Sequence, residues 1–503
     1  MKRVLVETNR YFDSVFLMRI SREIESLDGV RQAVVAMATP ANVDNIAGAG
    51  FALEESARPI LPNDVVIALD AETEEAFAAA KDRLEILLAG STDDEAAIDR
   101  PESLREALEV DPEANVAVIS VPGEYAAREA RQALRQGLHV MLFSDNVSVD
   151  DEIALKQEAI ERGLLMMGPD CGTAILNGVP LGFANACRRG SIGIVGASGT
   201  GIQEISSLIH TFGGGISQAI GTGGRDLSSA VGAAMTRFGI EALAGDPQTD
   251  VIVVVSKTPA PEVALSVIDT QAAAGKTGVI HFVGAPEREA HDQIRFAGTL
   301  EQAAVLACEA AGLEVSLLGA TADTAVRVSG SILGLYCGGT LCQEAWSLMD
   351  RAGIDVHSNV ASHPEKKVHP EAQVVGHAVW DLGDDVFTVG RPHPMIEPSL
   401  RDERVERAGN DPDVGIVLVD CVIGYGAHDD PARSLGEAAG YAFASAKAGG
   451  RDLRIIASVT GTDLDPQNAT RQRKTLEDAG VLVAASNAGA VRLASALVEG
   501  ASS

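Results

Sequence analysis

An internal duplication constrains this chain more than any other feature. The segment ASGTGIQEI at 197–205 recurs as CGGTLCQEA at 337–345, with the Gly-Thr and Gln-Glu pairs in step. Each copy follows an apolar run, SIGIV at 191–195 and SILGLY at 331–336, and leads into an amphipathic stretch. An apolar run that feeds a glycine loop and then a helix is the building unit of a parallel α/β sheet. Downstream, a Gly-Arg step recurs as Gly224-Arg225 and Gly390-Arg391. Asp246-Pro247 and Asp411-Pro412 then precede VIVVV and GIVLVD, and the second copy carries an insertion around 355–386. Two such domains packed about a pseudo-twofold axis would bring equivalent loops face to face.

The rest of the chain divides around these repeats. Residues 1–95 read as a small α+β domain, and the polar stretch 90–102 (GSTDDEAAIDRPE) reads as a linker. Residues 103–190 alternate βαβαβ, as in a truncated Rossmann-like, CoA-binding-type domain, and end in the turn GPDCGT. The repeats occupy 191–320 and 328–503. The expected fold class is α/β, with parallel-sheet Rossmann-like or flavodoxin-like domains behind the small N-terminal one.

Aromatic residues make up only 4% of the chain, so its cores must be aliphatic, and 51 glycines supply backbone-lined loops. A net charge of −31 argues against nucleic acid and anionic membrane surfaces as partners. It also means that an anionic substrate must find its positive charge locally. The six cysteines form no CxxC pair, no apolar stretch is long enough to span a membrane, and MKRVLVETNRYFDSVF is unlike a signal peptide. The expected compartment is the cytoplasm.

Both duplicated loops end at a helix N-terminus, where unpaired N–H groups and the helix dipole favour an anion. Ser198, Gly199 and Thr200 in one loop and Gly338, Gly339 and Thr340 in the other are therefore candidate phosphate ligands. The plainer alternative is that they only cap helices. Arg225 and Arg391 are candidate bidentate partners for the anion. Glu204 and Glu344, in the first turns of the two helices, would orient the loops or cap them. Gly168, Pro169, Asp170 and Cys171 form a turn where ligands bind such sheets, or an ordinary tight turn. His393 stands two residues from Arg391 in a proline-fixed turn, whereas His357, His363 and His369 lack a zinc-like spacing, so no metal is expected. AAAGKT (272–277) lacks the first glycine of a phosphate loop, and GASGT is not a nucleophile elbow.

These motifs resemble a known family. GPDCGT (168–173), GIVGASGTGIQE (193–204), GTGGRDL and DPQTDVIVVV resemble the α subunit of succinyl-CoA synthetase over 115–305, and 331–495 resembles the carboxyl-terminal domain of its β subunit. DSVFLM, VAMATP (35–40) and DLGDDVFTVGRPHPMIEP (381–398) are similar to FdrA-type, acyl-CoA synthetase-like proteins. That resemblance implies a subunit of oxamate carbamoyltransferase in anaerobic allantoin breakdown, acting with two partner proteins. The implied reaction exchanges a carbamoyl group between oxamate and phosphate.

Two departures stand out. Phe296 occupies the position of the synthetases' phosphorylated histidine, which implies free phosphate or an acyl phosphate such as carbamoyl phosphate. The ATP-grasp module and the first glycine loop of the CoA-binding domain are missing, which argues against CoA as cofactor. In this reading Arg225, Arg391, His393, Glu204 and Glu344 serve catalysis. A small anionic substrate and a hetero-oligomer, or a homodimer besides, are the expected partners. The alternatives are an acyl-CoA synthetase subunit whose partner supplies ATP, and a non-catalytic regulatory or scaffold subunit.

Overall fold

The computed structural model describes residues 2–498 apart from 9, 11, 13, 26, 28, 40, 41, 44, 45, 48, 49, 52–59, 62, 63, 94–100, 102, 287, 292, 318–326, 371, 373 and 389–391. Arg391 and most of the expected linker lie outside the described residues. The chain forms two compact units, Met1–Pro112 and Glu113–Val389 with His393–Ser503.

The first unit contains β1 (Lys2–Glu7), α1 (Ser14–Glu25), β2 (Val30–Met37), β3 (Val65–Ala71), α2 (Glu74–Asp93) and α3 (Leu104–Val110). Its antiparallel sheet has the order β1-β3-β2. Val65–Leu69 are buried on both faces of β3, which suits a central strand. Leu17, Ile20 and Ile24 of α1 bury the helical stripe that their spacing dictates, with Leu84 and Leu88 of α2 in the same core.

The second unit begins with β4 (Val116–Ile119), α4 (Gly123–Arg135), β5 (His139–Leu142), α5 (Val149–Glu161) and β6 (Met166–Met167), a parallel three-stranded sheet of order β4-β5-β6. The hairpin β7 (Thr173–Leu176) and β8 (Val179–Gly182) joins the sheet of the first repeat. That sheet adds β9 (Arg189–Ala197), α6 (Gly199–Thr211), β10 (Ile216–Gly221), α7 (Ala234–Gly245), β11 (Val251–Lys257), α8 (Pro261–Ala273), β12 (Thr277–Val283), β13 (Ile294–Phe296) and α9 (Leu300–Ala310). Its order is β13-β12-β11-β9-β10-β7-β8, with β9 to β13 parallel.

The second repeat contains β14 (Ser331–Tyr336), α10 (Gly339–Arg351), β15 (Val356–Ser358), β16 (His377–Asp381), α11 (Asp385–Thr388), α12 (Ser399–Ala408), β17 (Val414–Val422), α13 (Pro431–Ala448), β18 (Arg454–Thr460), α14 (Ala469–Asp478), β19 (Leu482–Ala484) and α15 (Asn487–Leu497). All its strands are parallel, in the order β15-β16-β14-β17-β18-β19. One core cluster runs from the first repeat (Ile202, Ile205) into the second (Leu341, Ala345), so the repeats share buried surface. No helix among the described residues is long and apolar enough to cross a membrane.

Candidate functional site

Strand order fixes which residues of the repeats are equivalent. With Ala197 matched to Cys337, Val195 matches Leu335; their partners on the next strand are Val254 and Val419, so Val255 matches Asp420. On the other side Gly196 pairs with Gly221 and Tyr336 with Asp381, so Gly221 matches Asp381 and Arg225 matches Asp385. The expected equivalence of Arg225 and Arg391 is therefore wrong. Asp384 and Asp385 follow β16 at the matching place, and Gly390-Arg391 lie outside the described residues.

The glycine loops do face one another. Ser198 Oγ and Thr340 Oγ1 are 2.7 Å apart in a buried contact, and Ser198 Oγ also accepts from Gly201 N-H at 3.1 Å as the cap of α6. Gly338 is glycine for a steric reason: a Cβ there would lie 2.9 Å from Thr200 Cγ2 and 3.1 Å from Asp420 Oδ2.

The second loop is not open to a phosphate in the expected way. Asp420 accepts from Cys337 N-H and Gly338 N-H, both at 2.7 Å, so the protein's own carboxylate occupies those donors. Burial pushes its carboxyl up, while those N–H groups and Arg401 oppose the shift. The first loop has Val255 in the equivalent place, against Gly196 and Gly201, and no such carboxylate.

Two residues of the first loop's surroundings were not among the expected ligands. Thr173 is 2% exposed, and its Oγ1 would lie 3.2 Å from a Cβ on Gly199, the first residue of α6. Its carbonyl accepts from Cys171 Sγ at 3.7 Å, while its hydroxyl has no partner among the described residues. Lys257 closes β11, one residue beyond the pairing of Ser256 with Ala197, which places it beside Ser198. Its charge acts on Asp170 and Asp381, and no carboxylate pairs with it among the described residues. A cation at the carboxyl end of a strand beside a glycine loop was the available sequence signal. It was obscured because SKTP matches no phosphate motif.

The other expected residues have structural tasks. Arg225 donates to Glu152 Oε2 at 3.0 Å and to Val147 O at 2.7 Å, tying α5 to the first repeat. Asp226 accepts from buried Lys156 at 2.8 Å and from Thr236 N-H at 2.8 Å near the start of α7. Glu204 accepts from Asn487 N-H at 3.0 Å and Thr460 Oγ1 at 2.5 Å. Glu344 accepts from Leu300 N-H at 2.7 Å and Asn487 Nδ2 at 2.8 Å. Each glutamate thus holds the N-terminus of the last helix of the opposite repeat. Burial raises both carboxyls, that of Glu344 to about 7. They are positioning residues, not catalytic ones.

The GPDC turn packs backbone against backbone. A Cβ at Gly223 would lie 2.2 Å from Pro169 O, and one at Gly221 would lie 2.5 Å from Cys171 Sγ. Burial pushes the Cys171 thiol up to about 12, which leaves it unreactive. Gly168, Pro169 and Cys171 are therefore packing residues, and Asp170 is the exposed one of the four. Asp170 keeps an outer face in solvent, yet burial of its carboxyl raises it to about 6, against the pull of Lys257. Burial also raises Asp381 to about 6, with Lys257 again opposing. His393 packs on Phe183, with ring centroids 6.0 Å apart, and accepts from Met395 N-H through Nδ1 at 3.2 Å. Burial lowers it to about 4, so it is neutral at pH 7. Phe296 ends β13, partly buried against the first repeat's core.

Comparison with known proteins gives three family matches: "CoA-ligase" over residues 335–497, "CoA binding domain" over 188–284, and "AllF, heavy metal-associated domain" over 1–103. The chain is 45% identical over 500 residues to the Escherichia coli K12 protein "Uncharacterized protein YahF", covering 96% of each. It is 32% identical over 127 residues to a succinate–CoA ligase [ADP-forming] subunit alpha 2 of Archaeoglobus fulgidus, covering 24% of this chain and 44% of that one. Among solved structures, the apo dinucleotide-forming acetyl-coenzyme A synthetase 1 of Ca. Korarchaeum cryptofilum covers 77% of this chain and 83% of its own at 16% identity, with a TM-score of 0.34.

A cysteine-bound metal does not fit the first domain, and β4 lacks the glycine loop of a CoA-binding domain, while the CoA binding match covers 188–284 with its loop at 196–201. Residues 1–103 contain no cysteine, and no cluster of His, Cys, Asp or Glu suited to a metal occurs among the described residues. The first strand of the three-stranded sheet, β4, passes through Ser120-Val121-Pro122 into α4, without a glycine-rich phosphate loop. Gly123 serves packing, since a Cβ there would lie 2.3 Å from Asp145 O.

Proposed function

Since the chain belongs to the family of YahF, an FdrA-type, succinyl-CoA synthetase-like group, we propose that it is the acyl-phosphate-handling subunit of a transferase, specifically an oxamate carbamoyltransferase. One observation carries this reading: the hydroxyl of Thr173, which has no protein partner among the described residues, faces the N-terminus of α6, with Lys257 at the adjacent strand end. Phosphate is the anion such a seat suits, because N–H groups, a hydroxyl and an ammonium all donate. Phe296 supports free phosphate or an acyl phosphate over a phosphoenzyme, since a phenyl ring accepts no phosphoryl group.

In the forward direction a phosphate oxygen attacks the carbamoyl carbon of carbamoyl-oxamate. The C–N bond to oxamate breaks, the departing nitrogen takes a proton, and carbamoyl phosphate forms. The α6 N-terminus, Thr173 and Lys257 hold the phosphate and offset its charge while the new bond forms. Neutral His393 accepts from Met395 N-H at Nδ1 and so carries its proton on Nε2, as a donor and not a base; the proton taken by the departing nitrogen is the one that the attacking phosphate gives up. A second reading, an acid–CoA ligase subunit whose partner supplies ATP, is favoured by the CoA-ligase match over 335–497.

The test is to assay carbamoyl phosphate formation from carbamoyl-oxamate and phosphate, with the chain alone and reconstituted with its partner subunits. Product that depends on this chain and is lost in Lys257→Met supports the transferase. ATP- and CoA-dependent acyl-CoA formation, with no carbamoyl phosphate, would establish the ligase instead.

A further inference from the structure

The two glycine loops share a sequence pattern but differ in electrical character. Beneath α6 lies Val255, so that helix N-terminus keeps its positive potential. Beneath α10 lies fully buried Asp420, whose carboxylate takes the Cys337 and Gly338 N–H groups. Asp381 stands over the next residue, with Oδ2 2.4 Å from where a Cβ on Gly339 would be. Asp381 is 8% exposed; Oδ1 accepts from Gly383 N-H at 3.0 Å, and Oδ2 has no partner among the described residues.

That oxygen is not among the fully buried unpaired atoms, so it keeps an open face on which a ligand's N-H can donate. The oxygen also sits next to a loop already neutralised by Asp420, so no further anion is welcome there. Lys257 acts on Asp381 across the same cleft that holds the α6 seat. The cleft is therefore polarised, with an anion end at α6 and a hydrogen-bond-accepting end at Asp381.

We infer that Asp381 is a specificity-determining residue that reads an uncharged, hydrogen-bond-donating acyl end of the phosphate ester seated at α6. The inference rests on the phosphate reading above and adds the chemical class of the acyl group. An acyl group bearing its own carboxylate meets Asp381 and Asp420 and is repelled. An acyl group ending in methyl leaves Asp381 Oδ2 unpaired. An acyl group ending in NH2 satisfies it.

Carbamoyl phosphate and acetyl phosphate are near-isosteres that differ in NH2 against CH3, which makes them the probes. Their binding to the full chain, and that of inorganic phosphate, is measured by calorimetry at pH 8, where Asp381 is ionised. Wild type is expected to prefer carbamoyl over acetyl phosphate by about 10- to 100-fold, because a site built to accept a hydrogen bond rejects the analogue lacking it. Asp381→Asn keeps an oxygen for Gly383 N-H and turns the other position into a donor. It should abolish the preference while leaving phosphate affinity within about threefold.

Equal binding of the two esters by wild type, or an undiminished preference in Asp381→Asn, overturns the inference. The wild-type comparison needs no variant, so it decides even if the substitution unfolds the chain. Binding of phosphate without discrimination refutes only the role of Asp381. Failure of all three ligands to bind refutes the phosphate reading itself, and the inference with it.

Discussion

Ser198 Oγ and Thr340 Oγ1 are hydrogen-bonded at 2.7 Å, across the boundary between two domains whose loops descend from one sequence pattern. The pair joins the first position of one loop to the third of the other. The reciprocal pair is Gly338 with Thr200, in which a methyl lies where a Gly338 Cβ would point. Ser198→Ala removes both this bond and the α6 cap, so it should lower stability by about 1–2 kcal/mol in denaturant unfolding. Thr340→Val keeps the shape and the cap and should cost less. Gly338→Ser should cost more than either, because its Cβ meets Thr200 and Asp420.

Lys257 is exposed and makes no ion pair among the described residues, so replacing it should not disturb the fold. Lys257→Met is expected to weaken phosphate binding by about 10-fold or more, since a charged hydrogen bond is worth roughly 1.5–3 kcal/mol. Its melting temperature should stay within a degree or two of wild type. Phosphate affinity unchanged in a titration of that variant would remove Lys257 from the seat.

Arg225→Lys separates the expected role of this residue from the observed one. Arg225 is engaged with Glu152 and Val147, so the substitution should leave phosphate affinity near wild type. Its effect should appear as faster proteolysis or hydrogen exchange around α5, where the lost anchor was. A 10-fold loss of phosphate affinity would restore the arginine to the site.

The raised carboxyls make stability depend on pH with a definite sign. Asp170 and Asp381 are raised to about 6 and Glu344 to about 7, so the fold holds these protons longer than the unfolded chain does. Their contribution to stability is complete below about pH 4 and is lost as pH rises through about 6 to 7. Asp381→Asn should flatten part of this slope, stabilising the chain at pH 8 but not at pH 4. Thermal melts across that range give the comparison; a wild-type slope of opposite sign in the window, unaltered by Asp381→Asn, contradicts it.

Asn487 links the two glutamates, giving its backbone N-H to Glu204 and its side-chain amide to Glu344 and Leu341 O. Asn487→Ala deletes the side-chain bonds and leaves the Glu344 carboxylate with one partner. A loss of about 2–3 kcal/mol in unfolding free energy is expected, with the two repeats uncoupling first in hydrogen exchange.

The sequence by itself determined the repeated unit, its parallel strands and the facing of its loops. Periodicity and glycine placement are local properties, and ASGTGIQEI beside CGGTLCQEA carries them in the open. The position of Phe296, where the related synthetases have a histidine, was equally legible. Only the tertiary structure decided which loop's N–H groups are already taken by a carboxylate. The Asp-Pro alignment already pairs Val255 with Asp420, but that Asp420 takes the Cys337 and Gly338 N–H groups is visible only in the packed structure. Strand pairing replaced a sequence match, Gly224-Arg225 with Gly390-Arg391, by one of strand register that makes Asp385 the counterpart of Arg225. Thr173 and Lys257 come from different strands, far apart in the chain. Their convergence on α6 is a product of sheet order, which residue spacing along the chain does not encode.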